Sequence, residues 1–166
     1  MLLNNKAQVW ITDFIVGFII FLIGIILASR FIFNSMIDDD FEKIRLEAES
    51  TSQDLLSEGL PKDWTNDTLV KIGLTTNNRL NIAKVSRFYN MNYEDTKFYF
   101  GSGLDYLLYF QKNNTILNIT TCGFGKINLT DCNVNLSGLE YDDLVKTVRL
   151  VIYNNTIVEM VLYLWE

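Results

Sequence analysis

The stretch KAQVWITDFIVGFIIFLIGIILASR, Lys6 to Arg30, is an almost uninterrupted apolar run that carries one acid, Asp13, near its start. As a helix, this run is long enough to cross a hydrocarbon core of about 30 Å. A carboxylate inside such a span costs about 2.5–3.5 kcal/mol on insertion scales, so Asp13 needs a partner. A cleaved secretory signal peptide is the first alternative, but the run is long for one and no small-x-small cleavage site follows it.

Apolar residues continue beyond the span at helical spacing, between acids and bases: Ile37, Phe41, Ile44, Ala48, Leu55 and Leu56. This pattern predicts an amphipathic continuation of the helix. Gly59 and Pro61 are typical of a helix end. A single helix from Gln8 to Glu58 is about 75 Å long, so its second half must pack on something other than the membrane.

The remainder, residues 60–166, predicts a mixed head. LVKIGL (Leu69–Leu74) is expected to form a short strand, and Asn81–Phe100 a helix with breaks near Asn90 and Asn92. Two later pairs of alternating segments flank Asn113-Asn114 and Asn154-Asn155. An Asn pair tolerates the positive φ values of a two-residue hairpin turn. We therefore expect an α+β fold in which the long helix covers the apolar face of an antiparallel sheet of four or five strands, the other face being polar.

The leader ending Lys6-Ala7-Gln8, the apolar helix with its early acid, the amphipathic continuation and the β-rich head together resemble archaeal type IV pilins and pilin-like proteins with a class III signal peptide. GLPKDWT, KIGLTTNNRL and the helix that carries Lys84 are also similar to the heads of such proteins. The resemblance implies cleavage by a prepilin-type peptidase between Ala7 and Gln8. It also implies that Asp13 pairs with the new α-amine of a neighbouring subunit.

The sequence departs from the family pattern in two ways. The family acid is usually Glu at the fifth mature position, where this chain has Thr12, and the residue before the cut is more often Gly than Ala. Asp13 is sixth if Gln8 is the first mature residue and fifth if Val9 is, so both cut sites stay open. Independently of the resemblance, an α-amine is largely cationic at neutral pH and could compensate a buried carboxylate, fixing register between identical helices. The alternative places Asp13 at the membrane surface, where the helix macrodipole favours an acid.

Small residues within the span bear on helix association. Gly17, Gly24 and Ala28 share one helix face and would permit close backbone approach, although Gly is common in membrane helices generally. The Asp38-Asp39-Asp40 run is interpreted as a solvated turn of the helix rather than a cation site.

The head carries two markers of an extracellular compartment. Cys122 and Cys132, the only cysteines, predict one disulfide that closes a short loop, with two unpaired thiols as the alternative. Six asparagines begin N-x-S/T acceptor sequences, more than the composition gives by chance: Asn66, Asn113, Asn118, Asn128, Asn135 and Asn154. A surface-exposed glycoprotein is expected.

Several functions are disfavoured by composition. The chain has no histidine, no CxxC pair, no G-x-S-x-G and no phosphate-binding loop, so we expect no enzyme, cofactor or metal site. A net charge of −6 without a basic stripe argues against nucleic acid.

The predicted organisation is a leader at 1–7, a transmembrane or filament-core helix at 8–33, an amphipathic helix at 34–59 and an extracellular head at 60–166. The expected function is that of a minor or pilin-like subunit of a surface filament. Its partners would be membrane lipid, the prepilin-type peptidase, other pilin subunits and the assembly platform. The alternative is a single-pass anchored ectodomain that binds a surface partner. The bases flanking the span do not favour an external head, so that orientation depends on the cysteines, the acceptor sequences and the resemblance.

Overall fold

The computed structural model describes residues 5–127, 129, 131–136 and 138–166, with side chains from residue 13 onward except 31–39. The chain divides into two compact units, Met1–Glu42 and Lys43–Glu166. Helix α1 runs from Asn5 to Leu55 and contributes residues to both. A helix followed by a sheet confirms the α+β class and the N-terminal apolar helix.

The end of α1 is amphipathic within the second unit. Ile44, Ala48, Thr51, Ser52 and Leu55 are buried at spacings that place them on one helix face. Arg149 from the sheet donates to the Ser52 hydroxyl (3.0 Å). Phe41, which the sequence pattern places on the same stripe, belongs to the first unit and is exposed.

The chain turns sharply after α1. Gly59 has φ +76°, and a Cβ there would meet Cδ1 of Trp64 at 2.6 Å. Glycine is therefore required both for the backbone conformation and for the close packing of the indole ring. Helix α1 ends at Leu55, three residues before the predicted end at Glu58.

Two short helices follow, α2 (Ile82–Tyr89) and α3 (Tyr93–Phe100). Asn81 caps α2 and Asn92 caps α3, because the Asn81 side chain accepts from two backbone N–H groups of the first turn and the Asn92 side chain from one. The predicted break between Asn90 and Asn92 is confirmed.

Within the described residues, the sheet has seven strands: β1 (Thr75–Thr76), β2 (Arg79–Leu80), β3 (Asp105–Lys112), β4 (Thr115–Ile116), β5 (Phe124–Gly125), β6 (Leu144–Tyr153) and β7 (Thr156–Trp165). Their order is β1-β2-β6-β7-β3-β4, and β5 pairs with β3. The β2–β6 pair is parallel and the other pairs are antiparallel. The expectation of four or five purely antiparallel strands is therefore wrong in number and partly in direction.

Three Asn-Asn turns build the hairpins. Both residues of Asn77-Asn78, Asn113-Asn114 and Asn154-Asn155 have positive φ, between 47° and 61°. Such values are typical of two-residue hairpin turns whose twist matches that of the strands. Two of these hairpins were predicted from the sequence; the first, β1–β2, was not.

The predicted strand Leu69–Leu74 does not form. Lys71 makes an isolated antiparallel bridge to Leu60, while Leu69, Ile72 and Leu74 are buried in the core. Its apolar residues therefore serve packing rather than sheet extension.

Both faces of the central strands are apolar, which corrects the expectation of one polar face. The α1 face includes Leu108, Phe110, Met160 and Leu162. The opposite face includes Leu107, Tyr109, Val161, Tyr163 and Trp165, and it packs against residues of the β4–β6 connection: Ile116, Cys122, Ile127, Leu129, Cys132, Val134, Leu136 and Leu139. We call the described residues of this connection, 116–127, 129, 131–136 and 138–139, the cover segment.

Candidate functional site

Helix α1 contains a segment, Asp13–Arg30, that is long and apolar enough to cross a membrane. Its large apolar side chains are exposed, and Phe14, for example, is 73% exposed. A continuous apolar surface of this extent indicates contact with lipid or with other apolar helices.

The residues predicted for processing and assembly lie at the start of this helix. Lys6, Ala7 and Gln8 are within the bounds of α1, but their side chains lie outside the described ones. Asp13 is exposed at the beginning of the apolar segment. Cleavage at Gln8 and its pairing with Asp13 both stay predictions.

Gly17, Gly24 and Ala28 are also on this surface. A Cβ added to Gly17 or Gly24 would meet nothing within 4 Å, and Ala28 is exposed. The face is open to an approaching helix, and its role in packing stays a prediction.

Cys122 and Cys132 form the predicted disulfide. The bond joins two parts of the cover segment, and Cys122 is buried against the sheet. The cystine thus holds the cover segment over the second apolar face.

The acceptor asparagines lie on the surface wherever the structure describes them. Asn66, Asn113, Asn118, Asn135 and Asn154 are exposed, and Asn128 lies outside the described residues. Asn113 and Asn154 are at hairpin turns, as predicted. Exposure is what an attached glycan requires.

Several surface cavities adjoin acceptor sequences, and two of them are lined by the acceptor asparagine itself. One, of about 310 Å³, is lined by Asn66, Asn90, Asp95 and Phe98, among others. The other, of about 580 Å³, is lined by Asn118, Tyr89, Phe124 and Leu129, among others. The Tyr89 hydroxyl is buried without a hydrogen-bond partner, and burial raises its pKa.

A polar network at the α3–β3 junction was not foreseen from the sequence. Asp105 accepts from Tyr93 (2.8 Å) and Lys97 (2.9 Å) and pairs with Lys126 (3.2 Å). Burial alone would raise the pKa of Asp105, but the hydrogen bonds from these three partners hold it below its usual value. The carboxylate is saturated by its partners, so it ties α3 and the residue after β5 to β3 rather than offering a reactive group.

Lys84 is a second feature that the sequence did not reveal. It is 3% exposed, and its Nζ donates to the carbonyls of Glu58 (2.7 Å) and Thr75 (2.8 Å). Burial lowers the pKa of Lys84, although the carboxylates of Glu58 and Asp63 oppose this in part. A cation at this position satisfies carbonyls beyond the end of α1.

No family model, no curated protein and no solved structure matches the chain. Among the described residues, no group of three or more Cys, Asp or Glu could hold a metal ion. Over the described residues, the geometry defines the class as an α+β protein with a helix able to span a membrane and a disulfide-bonded head.

Proposed function

We propose that the chain is a minor, pilin-like subunit of a type IV pilus-type surface filament of the archaeal kind. The observation that carries the proposal is the composition of α1. One segment of this helix, Asp13–Arg30, exposes a continuous apolar surface between its initial acid and Ser29, while Ile44 to Leu55 supplies buried residues to a folded head. A filament subunit needs a helix that can leave lipid for a bundle of identical helices while its head stays folded.

Asp13 supplies the register of that bundle. The new α-amine of Gln8, or of Val9, in one subunit would neutralise the Asp13 carboxylate of its neighbour. Buried ion pairs add little net stability, but they fix the axial position of identical helices because a misaligned pair leaves two buried charges uncompensated.

The other proposed partners correspond to successive steps in the assembly of such a filament. Lipid surrounds the helix before assembly, the prepilin-type peptidase removes the leader, and the assembly platform and other pilin subunits receive the mature chain. The disulfide Cys122–Cys132 and the exposed acceptor asparagines support an extracellular head, because disulfides persist in oxidising compartments.

The decisive experiment is the N-terminal residue of the protein isolated from its native cell. Intact-mass analysis is expected to find a chain that begins at Gln8 or Val9. Lys6→Glu should leave the chain uncut, whereas the matched control Lys6→Arg, which keeps the charge, should be processed normally.

A native chain that begins at Met1 would remove the main support for a filament. The second candidate, a single-pass anchored ectodomain that does not polymerise, would then be favoured. This candidate is supported by two departures from the family pattern: Thr12 occupies the fifth mature position, and Ala7 precedes the cut.

A further inference from the structure

The cavity of about 310 Å³ beside Asn66 combines three features that together fit one kind of ligand. It lies between the turn that follows Trp64 and the corner that joins α2 to α3. Its volume is at the lower end of the range for small-molecule sites, so it could seat roughly one small ring.

The first feature is an aromatic ring in water. Phe98 is 80% exposed, and its ring contacts Tyr99 edge-on at 5.7 Å between centroids. Single exposed apolar side chains are common and need no explanation alone. This ring, however, lines the same cavity as an acceptor asparagine.

The second feature is a set of polar groups with unused hydrogen-bonding capacity. In the described part of the chain, the Asn90 amide and the Asp95 carboxylate have no side-chain hydrogen bond, and Asn92 uses its Oδ1 to cap α3. An aromatic face beside free amide and carboxylate groups suits a sugar. The C–H groups of a pyranose ring pack on the electron-rich face, and its hydroxyls hydrogen-bond to the polar groups.

The third feature is the fixed position of Asn66. It lies in the turn Thr65–Thr68, which is closed by Thr68 N–H to the Thr65 carbonyl (3.1 Å) and by Thr65 N–H to the Thr68 hydroxyl (3.0 Å). The preceding Trp64 is anchored through its carbonyl by Arg87 (2.7 Å). The acceptor is therefore held at the rim of the cavity.

We propose that Asn66 carries an N-linked sugar and that this sugar is seated in the cavity against Phe98. The inference rests on the proposed function in so far as it needs the head to be outside the cell. The covalent bond holds the sugar beside the cavity at high effective concentration, so weak contacts suffice to order it.

The test uses the full chain from its native cell in four forms: wild type, Phe98→Ala, Asn66→Gln and the double variant. Peptide mass analysis should find a sugar on the Asn66 peptide. Phe98→Ala should lower Tm by about 2–4 °C in the chain that carries the sugar, and by no more than about 1 °C in the Asn66→Gln background. Thr68→Ser, which keeps the acceptor sequence, should retain both the sugar and the sensitivity to Phe98→Ala. Asn154→Gln should leave that sensitivity unchanged.

Two outcomes would overturn the inference. One is an unmodified Asn66 peptide in native protein, and the other is an equal effect of Phe98→Ala with and without the sugar. Failure of the filament proposal is seen separately, at the N-terminus. A processed chain without sugar on Asn66 refutes only the sugar site, and a glycosylated chain that begins at Met1 refutes only the filament.

Discussion

Reducing the Cys122–Cys132 disulfide should destabilise the head by a predictable amount. The two cysteines are separated by 10 positions. For a loop of about 10 residues, the chain-entropy relation gives about 9 cal/mol/K, which is about 2.7 kcal/mol at 25 °C. For a unit of the size of Lys43–Glu166, this corresponds to a decrease in Tm of roughly 10 °C.

The same structure predicts where the loss will be seen first. The cover segment packs on Trp165, which is buried on the second face, whereas Trp64 is buried in the α1-side cluster. Reduction frees the cover segment but leaves the packing around Trp64 untouched. Before global unfolding, Trp165 should therefore become accessible while Trp64 stays protected.

The assay is thermal unfolding of the full chain in detergent, oxidised and reduced, with acrylamide quenching of tryptophan emission below Tm. A Trp10→Phe background removes the third indole, and the Cys122→Ala/Cys132→Ala variant checks that the reductant acts only on the cystine. An unchanged Tm would refute the entropic reasoning. Equal exposure of Trp64 and Trp165 would refute the assignment of the cystine to the cover segment.

Three further predictions concern charges and phenols. In urea titrations, Lys84→Met should lower the free energy of unfolding by about 1–3 kcal/mol, because two carbonyls lose their donor. The control Lys62→Met, which removes an exposed partner of Glu58, should lower it by no more than about 1 kcal/mol. Burial raises the pKa of Tyr106, so above pH 10 the unfolded chain loses this phenolic proton while the folded chain keeps it, and stability must fall with pH there. Tyr106→Phe should make that fall shallower by about 0.7 kcal/mol per pH unit, averaged over unfolding measurements at pH 9–11. Asp13→Asn should reduce the amount of the protein in sheared surface filaments, relative to the membrane pool, far more than Asp13→Glu does, because only Asn removes the charge. Equal amounts for the wild type and Asp13→Asn would contradict the pairing.

Local signals made much of the head predictable. Asn pairs mark hairpins because few other residues adopt positive φ twice in succession, and this holds at Asn113-Asn114 and Asn154-Asn155. The pair Asn77-Asn78 has the same geometry, but its strands are only two residues long and give no alternating pattern. A hairpin turn is hard to predict when its strands are too short to show an alternation of apolar and polar residues.

Contacts between distant segments were not predictable in the same way. Asp105 meets Tyr93, Lys97 and Lys126 only because α3 and the residue after β5 converge on the start of β3. Lys84 likewise meets the carbonyl of Glu58, 26 positions away, and nothing in the local sequence marks either residue as a partner. The packing of the cover segment on the sheet was not predicted, because its aliphatic residues follow no helical or strand period.

The head and the apolar segment differ in whether the chain itself supplies contacts for their side chains. In the second unit, the described buried side-chain polar atoms are paired, apart from Glu47 Oε1 and the Tyr89 hydroxyl, so the chain itself supplies the partners that its fold needs. The segment Asp13–Arg30 is the opposite case, since none of its residues is buried by the single chain. Measurements of head stability therefore test the fold but leave the apolar segment untested. Its role must be measured where lipid or neighbouring helices can cover it, which is why the native N-terminus and recovery in surface filaments carry more weight than any property of the isolated head.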